Sequence, residues 1–427
     1  MQVLHLSTSD ISGGAAIAAY RLHQGLQHLG VTSQMLVGKK SSDDKTVFAP
    51  KSNFSKALGI LKPTLDCLPL RFYPGCDITR LSLSLEWLPD RLAPKVAQLT
   101  PDILNLHWVC GGFLRIETLA KLNQPIVWTL HDMWAFTGGC HYNQDCDRYT
   151  SSCGNCPLLQ SGNNWDLSHW VWQRKAKAWQ NINLTLVTPS HWLAKCANSS
   201  SLFQDRRVEV IPNGLDTEQY KPMDKRLARE LLNLPQDKQL ILFGAIGATS
   251  DSRKGFHQLQ LALKHLSQSG WQENTDVVVF GSSKPENSID LGFRTHYLGY
   301  FHDDIALALV YSAANVMIVP STQEAFGQTA SESLACGTPV VCFDSTGLKD
   351  IVEHERNGYR AKCFSAEDLA NGIAWVLQDG ERWQHLSRRA REKVEQEFTL
   401  ELQSYRYSKL YEEILHFGDR EGIKSSN

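Results

Sequence analysis

The stretch VPSTQEAFGQTASESLACGTPVV, residues 319–341, is the most informative part of this chain. A buried strand leads into a polar loop that carries Glu324, and Gly337 and Pro339 stop a short helix that we predict over about residues 329–336. A helix that begins just beyond a parallel strand directs its N–H groups and its positive dipole end toward a bound anion. The stretch therefore predicts a phosphate-binding site.

Two carboxylates flank the predicted helix start. Glu324 lies in the loop and Glu332 on the second helical turn, with seven residues between them. Gly327 lets the backbone approach a ligand closely. Acids are also favoured at a helix start by the dipole alone, so a purely structural role is the alternative. We expect the pair to bracket a ligand lying across the helix start.

Continuous apolar runs alternate with helical patterns in both halves of the chain, which is typical of a parallel sheet covered on both faces. The first run is followed by a turn containing Gly13 and Gly14, and then by a helical pattern. We predict an α/β fold with one Rossmann-like domain over residues 1–205 and a second over residues 206–399. We assign the run VEVIPNGLD, residues 208–216, to the second domain, and expect a final helix over about 400–420 to pack back on the first.

The composition is that of an ordinary globular protein. Hydrophobic residues make up 42% of the 427 residues, charged residues 21%, and the formal net charge is −2, which argues against a nucleic-acid partner. The amino terminus lacks the pattern of a secretory signal, and no apolar run is long enough to cross a bilayer. We expect a cytoplasmic protein.

Residues 56–72 mix apolar and basic positions, so they leave open peripheral contact with the inner face of the plasma membrane; an ordinary packed helix is the alternative.

The stretch around Glu324 resembles the signature of family 4 glycosyltransferases. Further matches run along the chain in the expected order: the GG turn, TLHD at 129–132, PNGLD at 212–216, RKG at 253–255 and LG at 298–299. The block TLHDMWAFTGGCHY, with the cysteines around it, resembles a subgroup that makes exopolysaccharide or colanic-acid-like polymers. The resemblance implies GT-B architecture, in which two Rossmann-like domains face each other across a cleft.

The resemblance also implies an activity: retaining transfer of a sugar from a UDP- or GDP-sugar to a glycan or lipid-linked acceptor, with no metal needed for catalysis. It assigns Glu324 to hydroxyls of the transferred sugar, Glu332 to the ribose and His131 to the sugar or acceptor side. The remaining donor-binding residues are expected to act through basic side chains or backbone N–H groups near the phosphates: Gly13, Gly14, Arg253, Lys254, Phe326, Gly327 and Gln328.

One position departs from the family pattern. Many relatives carry an arginine just after the first strand of the donor domain, where this chain has Ala245, and Arg253 could supply the missing charge.

Two other functions stay open: another GT-B enzyme, such as a nucleotide-sugar epimerase, and a non-catalytic nucleotide-sugar-binding protein. A dinucleotide oxidoreductase is poorly supported, because the first turn lacks the three-glycine fingerprint.

Four of the eleven cysteines are bunched just after TLHD. Cys140, Cys146, Cys153 and Cys156 have five, six and two residues between successive members. Four thiolates with one CxxC pair can form a tetrahedral structural zinc site, which would brace the loop next to His131. Unliganded buried thiols and a disulfide are the alternatives, and His141 is an alternative ligand.

Overall fold

The computed structural model describes residues 1–50, 52–76, 82–244, 247, 251–284, 290–301 and 303–424. The chain divides into two compact units. The first combines Met1–Pro212 with Glu401–Asn427, and the second comprises Asn213–Leu400. Ala245, the position that departs from the family pattern, lies outside the described residues.

The strands form two parallel sheets. The first sheet has the order β3-β2-β1-β4-β5-β6-β7 and the second the order β10-β9-β8-β11-β12-β13. The bounds of the strands are β1 Gln2–Ser9, β2 Thr32–Lys39, β3 Val47–Phe48, β4 Ile103–Leu106, β5 Ile126–Thr129, β6 Leu184–Thr188, β7 Arg207–Val210, β8 Gln239–Gly244, β9 Thr275–Phe280, β10 Thr295–Tyr297, β11 Val316–Val319, β12 Val340–Phe343 and β13 Gly358–Ala361.

Helices connect most of these strands, because parallel pairing requires a crossover connection. Several of them begin at a Ser or Asp whose side chain accepts hydrogen bonds from the first helical N–H groups, as at Asp166, Ser190 and Asp303. The bounds of the helices are α1 Gly14–His28, α2 Asn53–Asp66, α3 Leu92–Leu99, α4 Leu167–Trp179, α5 His191–Ser199, α6 Lys225–Leu231, α7 Phe256–Gln268, α8 Asp304–Ala313, α9 Gln328–Ala335, α10 Leu348–Ile351, α11 Ala366–Leu377, α12 Gly380–Glu397 and α13 Leu400–Lys424.

The run at residues 208–216, assigned to the second domain from sequence, begins with a strand of the first sheet. β7 pairs in parallel with β6, in the register Leu186 to Val208 and Thr188 to Val210. The assignment was wrong because an apolar run does not reveal which sheet it joins. The strand follows α5 and completes a crossover from β6, so it extends the first sheet before the chain enters the second unit.

The last helix, α13, belongs to the first unit. Tyr411 accepts a 2.7 Å hydrogen bond from Asn105, and the hydroxyls of Tyr407 and Thr129 lie 2.8 Å apart. Both tyrosines are buried against the apolar core around Val3 and Val127. Because each phenol has a partner in the sheet, the helix is fixed by polar contacts as well as by burial. Within the residues that the structure describes, no helix is both long and apolar enough to cross a membrane.

A glycine allows two loops of the second unit to lie in contact. Gly255, just before α7, has a φ of +73°, and a Cβ there would stand 1.8 Å from the carbonyl oxygen of Pro320. The backbone N–H of Thr322 donates to the carbonyl of Arg253 at 2.9 Å, so the two loops are also hydrogen-bonded. Only glycine combines this conformation with so close an approach.

We predict that Gly255→Ala lowers stability and separates the two loops. The added methyl group meets backbone that cannot rotate away, and the left-handed φ adds a cost of roughly 1–2 kcal/mol. Gly270→Ala is the matched control, because Gly270 has a φ of +82° and its missing Cβ would have no atom within 4 Å. Urea unfolding should show a larger loss for Gly255→Ala than for the control; equal losses would contradict the steric argument.

Candidate active site

Glu324 is a buried carboxylate held between basic and hydroxyl groups at the carboxyl end of β11. Its Oε1 accepts a 2.5 Å hydrogen bond from Nζ of Lys254 and a 3.0 Å bond from Oγ of Ser321. A guanidinium nitrogen of Arg253 lies 3.8 Å from the same oxygen. The side chain is oriented by three neighbours from two loops, which is the fixed geometry that recognition of a ligand hydroxyl requires.

Burial by itself would raise the pKa of Glu324, but the charges of Lys254 and Arg253 and the hydrogen bonds from Lys254 and Ser321 outweigh it, so the pKa is lowered. The carboxylate is therefore ionised at neutral pH. An ionised carboxylate only accepts hydrogen bonds, and hydroxyl groups of a sugar are suitable donors.

Arg253 is already engaged within the loop structure. Its guanidinium donates to Asp251 and to the carbonyl of Gln323, both at 2.9 Å. It therefore ties the 251–255 loop to the 320–324 loop. Lys254, by contrast, has a single long, flexible chain ending on Glu324, so its ammonium can move toward a phosphate without releasing the loops.

The N-cap of helix α9 is Gly327, which has a φ of +115° and provides no side-chain cap. A Cβ at this glycine would stand 2.6 Å from a methyl carbon of Leu348, so the position also needs glycine for packing. Gln328 is the first helical residue. Phe326 is buried and packs edge-to-face on Phe398, so the role expected of it rests on its backbone and not on its ring.

Glu332 lies on the second turn of α9 and is 6% exposed. Its Oε2 accepts a 2.8 Å hydrogen bond from the hydroxyl of Tyr311, a fully buried residue of α8. Burial, followed by the negative charge of Glu332, raises the pKa of Tyr311 well above its usual value, so the phenol stays protonated and keeps donating. Tyr311 carries no sequence signal of its own, and sequence reasoning missed it.

In the first unit, Gly13 and Gly14 form the start of α1. Gly13 has a φ of +95°, and a Cβ added there would have no atom within 4 Å; Gly14 is the first helical residue. The helix has no side-chain cap. Its N-terminus follows β1 after a short loop, as the sequence predicts, and has the form of the helix starts that bind phosphate.

His131 ends a chain of three hydrogen-bonded histidines in the first unit. Its Nε2 lies 3.0 Å from Nδ1 of His107, and Nε2 of His107 lies 2.9 Å from Nδ1 of His5. His131 and His107 both line the same small pocket. Burial lowers the pKa of His131 to about 4, even though Asp132 acts in the opposite direction, and burial lowers the pKa values of His5 and His107 as well. The three rings are neutral at pH 7.

The chain of histidines also decides which nitrogen of His131 carries its proton. Nε2 of His5 is buried without a hydrogen-bond partner. A buried N–H without a partner is rarer than a buried acceptor without one, so the proton of His5 is assigned to Nδ1, where it donates to His107. His107 then donates from Nδ1 to His131. His131 is left with its proton on Nδ1, as a neutral hydrogen-bond donor at the end of the chain.

The four bunched cysteines, Cys140, Cys146, Cys153 and Cys156, line a second cavity in the loop that follows His131. None forms a disulfide. His141, the alternative ligand, has partners on both ring nitrogens: Nδ1 lies 2.6 Å from Asp132 and Nε2 lies 2.9 Å from Oγ of Ser84.

Two family models match the chain. The model described as "Glycosyltransferase Family 4" matches residues 12–219, and the model described as "Glycosyl transferases group 1" matches residues 224–393. Each match covers most of one of the two units that contain the site residues. The chain belongs to the family 4 glycosyltransferases.

This glycosyltransferase is similar to several curated proteins. It is 22% identical to the putative colanic acid biosynthesis glycosyl transferase WcaC of Escherichia coli, over 83% of this chain and 85% of that protein. It is 33% identical to D-inositol 3-phosphate glycosyltransferase of Xylanimonas cellulosilytica, over 43% of this chain and 46% of that protein. With an uncharacterized glycosyltransferase of Methanocaldococcus jannaschii, the chain shares 28% identity and spans 50% of its length.

Solved structures confirm the GT-B architecture of the glycosyltransferase. Sucrose-phosphate synthase from Thermosynechococcus elongatus is 20% identical, with a TM-score of 0.67 over 97% of this chain and 100% of that one. HepE from Anabaena, in complex with UDP and glucose, is 18% identical, with a TM-score of 0.63 over 96% of this chain and 99% of that one. At these identities the likeness shows the fold.

We predict that the glycosyltransferase loses stability as the pH falls from about 6.5 to about 4. Burial lowers the pKa values of His131 and His23 to about 4, below the ordinary 6.5, so the unfolded chain binds more protons in this window. His131→Asn removes one such group and should flatten the dependence of the melting temperature on pH. His265→Asn, at an exposed position of α7, should retain the original slope. If the melting temperature of His131→Asn depended on pH as strongly as that of the wild type, the neutral state of the His131 ring would be contradicted.

Proposed function

We propose that the chain is a retaining glycosyltransferase that moves a sugar from a UDP- or GDP-sugar to an acceptor. The observation that carries the proposal is the ionised, buried Glu324 paired with Lys254 beside the N-terminus of α9. A negative group that binds hydroxyls and a positive group that binds phosphate are what a nucleotide-diphosphate sugar requires of its site. The complexes of HepE with UDP and UDP-glucose, in a protein of similar fold, support this donor class.

On the donor side, four residues of the second unit have a proposed task. Lys254 exchanges its contact with Glu324 for the diphosphate and neutralises charge on the leaving group. Backbone N–H groups of Gly327 and Gln328, at the positive end of α9, add to that stabilisation. Glu332, oriented by Tyr311, accepts hydrogen bonds from the ribose hydroxyls.

The first unit has a proposed role toward the transferred sugar and the phosphates. His131 donates from Nδ1 to a sugar or acceptor oxygen, and its neutral state lets it orient this oxygen without adding charge. Gly13 and Gly14 approach the phosphates through backbone N–H groups. When no protein nucleophile takes part, retention requires that the acceptor attack from the side that the diphosphate leaves, so a departing phosphate oxygen can take the acceptor's proton. No protein nucleophile and no metal are assigned to this step.

The proposed acceptor is a lipid-linked glycan of bacterial surface polysaccharide. The similarity to WcaC, whose description names colanic acid biosynthesis, extends along most of the chain and supports this choice. The similarity to D-inositol 3-phosphate glycosyltransferase of Xylanimonas cellulosilytica covers less than half of each chain. A soluble phosphorylated acceptor is therefore the second candidate, and the two are distinguished by assaying both acceptor classes.

A surface of the first unit supports contact with a membrane. Ile60 and Leu61 of α2 are 78% and 56% exposed, and Phe72, in the 3-10 turn that follows, is 86% exposed. Arg71 lies beside Phe72. Apolar side chains with a neighbouring basic group fit the interface of an anionic bilayer. We therefore propose peripheral attachment at the cytoplasmic face of the plasma membrane, where a lipid-linked acceptor would be available.

For the donor site, Glu324→Gln is expected to lower the rate of sugar transfer, and the low rate of donor hydrolysis, by at least ~100-fold. The substitution removes the carboxylate that accepts hydrogen bonds from the sugar hydroxyls. The shape of the side chain is kept, so the fold should be retained, but Lys254 loses its anionic partner and the melting temperature should fall. Glu367→Gln, at an exposed first-turn position of α11, is the matched control and should keep full activity.

The assay uses UDP-, GDP- and ADP-sugars with the wild-type chain and both variants. Full activity of Glu324→Gln would reject the role of this carboxylate. Binding of a nucleotide sugar by the wild type without transfer or hydrolysis would favour the non-catalytic alternative, and interconversion of donor sugars would favour an epimerase.

For the membrane surface, the double variant Ile60→Ser/Phe72→Ser should weaken binding to vesicles of phosphatidylglycerol and phosphatidylethanolamine by about tenfold or more, because two inserted apolar side chains are removed. Leu227→Ser/Leu231→Ser is the matched control: these leucines of α6 are 52% and 58% exposed but lie in the second unit. Co-sedimentation measures the bound fraction. Equal binding by the two double variants would contradict the proposed surface.

A further inference from the structure

Lys175, in the second half of α4, is a lysine with its whole side chain in the protein interior. It is 0% exposed, and its ammonium donates hydrogen bonds to the carbonyl oxygens of Trp134 and Thr137. The Nζ atom also lies 3.7 Å from the centroid of the Trp134 ring and 5.6 Å from that of Trp179. Burying an ammonium costs free energy unless its hydrogens are bound and its charge is balanced. The proposed sugar transfer gives this lysine no task of its own.

The two carbonyls that Lys175 binds belong to one short segment of backbone. Trp134 begins a 3-10 turn and Thr137 is its C-cap, so we call residues 134–137 the 134–137 turn. Both residues are buried, and their carbonyls therefore need hydrogen-bond partners inside the protein. Because one ammonium binds the first and the last residue of the turn, it fixes this backbone against α4.

A carboxylate binds the same turn at its start. The N–H of Trp134 donates to Oδ1 of Asp132 at 2.8 Å, and Oδ2 of Asp132 lies 2.6 Å from Nδ1 of His141 and 3.0 Å from Nε1 of Trp108. Burial by itself would raise the pKa of Asp132, but the charge and hydrogen bond of His141 and the N–H of Trp134 outweigh it, so the pKa is lowered. Asp132 and Lys175 thus bind the N–H and the carbonyl of one residue with opposite charges, as the peptide dipole favours.

The 134–137 turn continues directly from His131. Trp134 and Ala135 line the same small pocket as His131 and Asp132. Strand β5 ends two residues before His131, so the pairing of β5 with its neighbours does not hold the imidazole in place. The backbone that carries His131 is instead fixed from its C-terminal side, by the contacts of Asp132 and Lys175 with the turn.

We propose that Lys175 is a positioning residue for His131, which it keeps in place by holding the 134–137 turn. The inference rests on the proposed role of His131 toward a sugar or acceptor oxygen. Lys175 itself touches no substrate in this proposal. Its effect on the rate follows from geometry, because a group displaced by about 1 Å from its reacting partner can lower a rate by about 100-fold.

The groups around the ammonium favour Asp132 as its negative counterpart. Burial raises the pKa values of the neighbouring thiols and of one neighbouring carboxyl group, which favours their neutral forms. These groups are Cys110, Cys140, Cys153 and Glu86. Burial also lowers the pKa of Lys175 to about 7, although the charges of its neighbours act in the opposite direction. The ammonium therefore loses a proton, and with it a donor and its charge, as the pH rises through this value.

Lys175→Met tests the proposal in an assay of sugar transfer. Methionine fills a similar space between the indole rings but removes the charge and the donors. We expect kcat to fall by at least about tenfold, because His131 is displaced. The KM for the nucleotide sugar should change by less than about twofold, because Lys254 and Glu332 of the second unit are untouched. A buried lysine that served only to fill space would leave kcat unchanged when replaced, and that result would overturn the proposal.

Lys225→Met is the matched control. Nζ of Lys225 lies 3.9 Å from the centroid of the Trp383 ring, and burial lowers its pKa to about 7 as well. The residue belongs to α6 of the second unit and contacts none of the groups around His131. This variant loses a comparable buried charge, so it should lose stability but keep the kcat of the wild type.

The tautomer of His131 provides a second readout, which does not need sugar transfer. In a chain that carries isotope-labelled histidine, nitrogen NMR should show the proton of His131 on Nδ1, with the signal assigned by its loss in His131→Asn. Lys175→Met should shift this signal or add a second tautomer, and Lys225→Met should not. If the wild type transfers no sugar, the proposed function fails, but a changed signal still supports the positioning role. An unchanged signal would overturn that role.

If Lys175→Met does not fold, the wild type decides the question. Deprotonation of Lys175 should loosen the turn, so kcat should fall and the His131 signal should move as the pH rises through about 7, although the pKa of His131 is about 4. Lys225→Met should show the same dependence on pH. A His131 signal that stays constant from about one pH unit below this value to about one unit above it would overturn the proposal.

Discussion

The ion pair between Glu324 and Lys254 is the interaction on which the candidate site of the second unit depends. Buried in the protein, the carboxylate would be driven toward its neutral form without a nearby positive charge. Lys254 reaches it because the 251–255 loop lies against the 320–324 loop, and this contact exists because Gly255 carries no side chain. A steric property of one glycine thus determines the charge of the acid.

Much of the second unit could be predicted from sequence. Its buried strands are continuous apolar runs, and the helix after β11 begins within one residue of the predicted start. The assignment of the strand at residues 207–210 failed for a physical reason: the choice between two parallel sheets depends on which neighbour offers unpaired backbone groups. That information comes from the position of β6 and cannot be read from the four residues themselves.

Candidate site residues that are close together in sequence could be proposed from the sequence, and contacts between residues far apart in sequence were missed. Glu324 and Glu332 share one short segment, so their spacing is informative. His5 and His107 meet only because β1 and β4 are adjacent in the sheet. A weak signal was present: histidines occur in or just after three apolar runs, LHLS, LNLHWV and TLHD. Because parallel strands place equivalent ends together, three such histidines are candidates for mutual contact.

The two units solve the problem of buried ionisable groups in opposite ways. Glu324 stays charged because cations and a hydroxyl compensate for its burial. His131 becomes neutral because burial outweighs the charge of Asp132, and the imidazole of His107 offers a hydrogen bond without a compensating anion. The first solution keeps an anion, which can only accept hydrogen bonds. The second keeps a neutral imidazole, which can donate a hydrogen bond from Nδ1 without adding a charge.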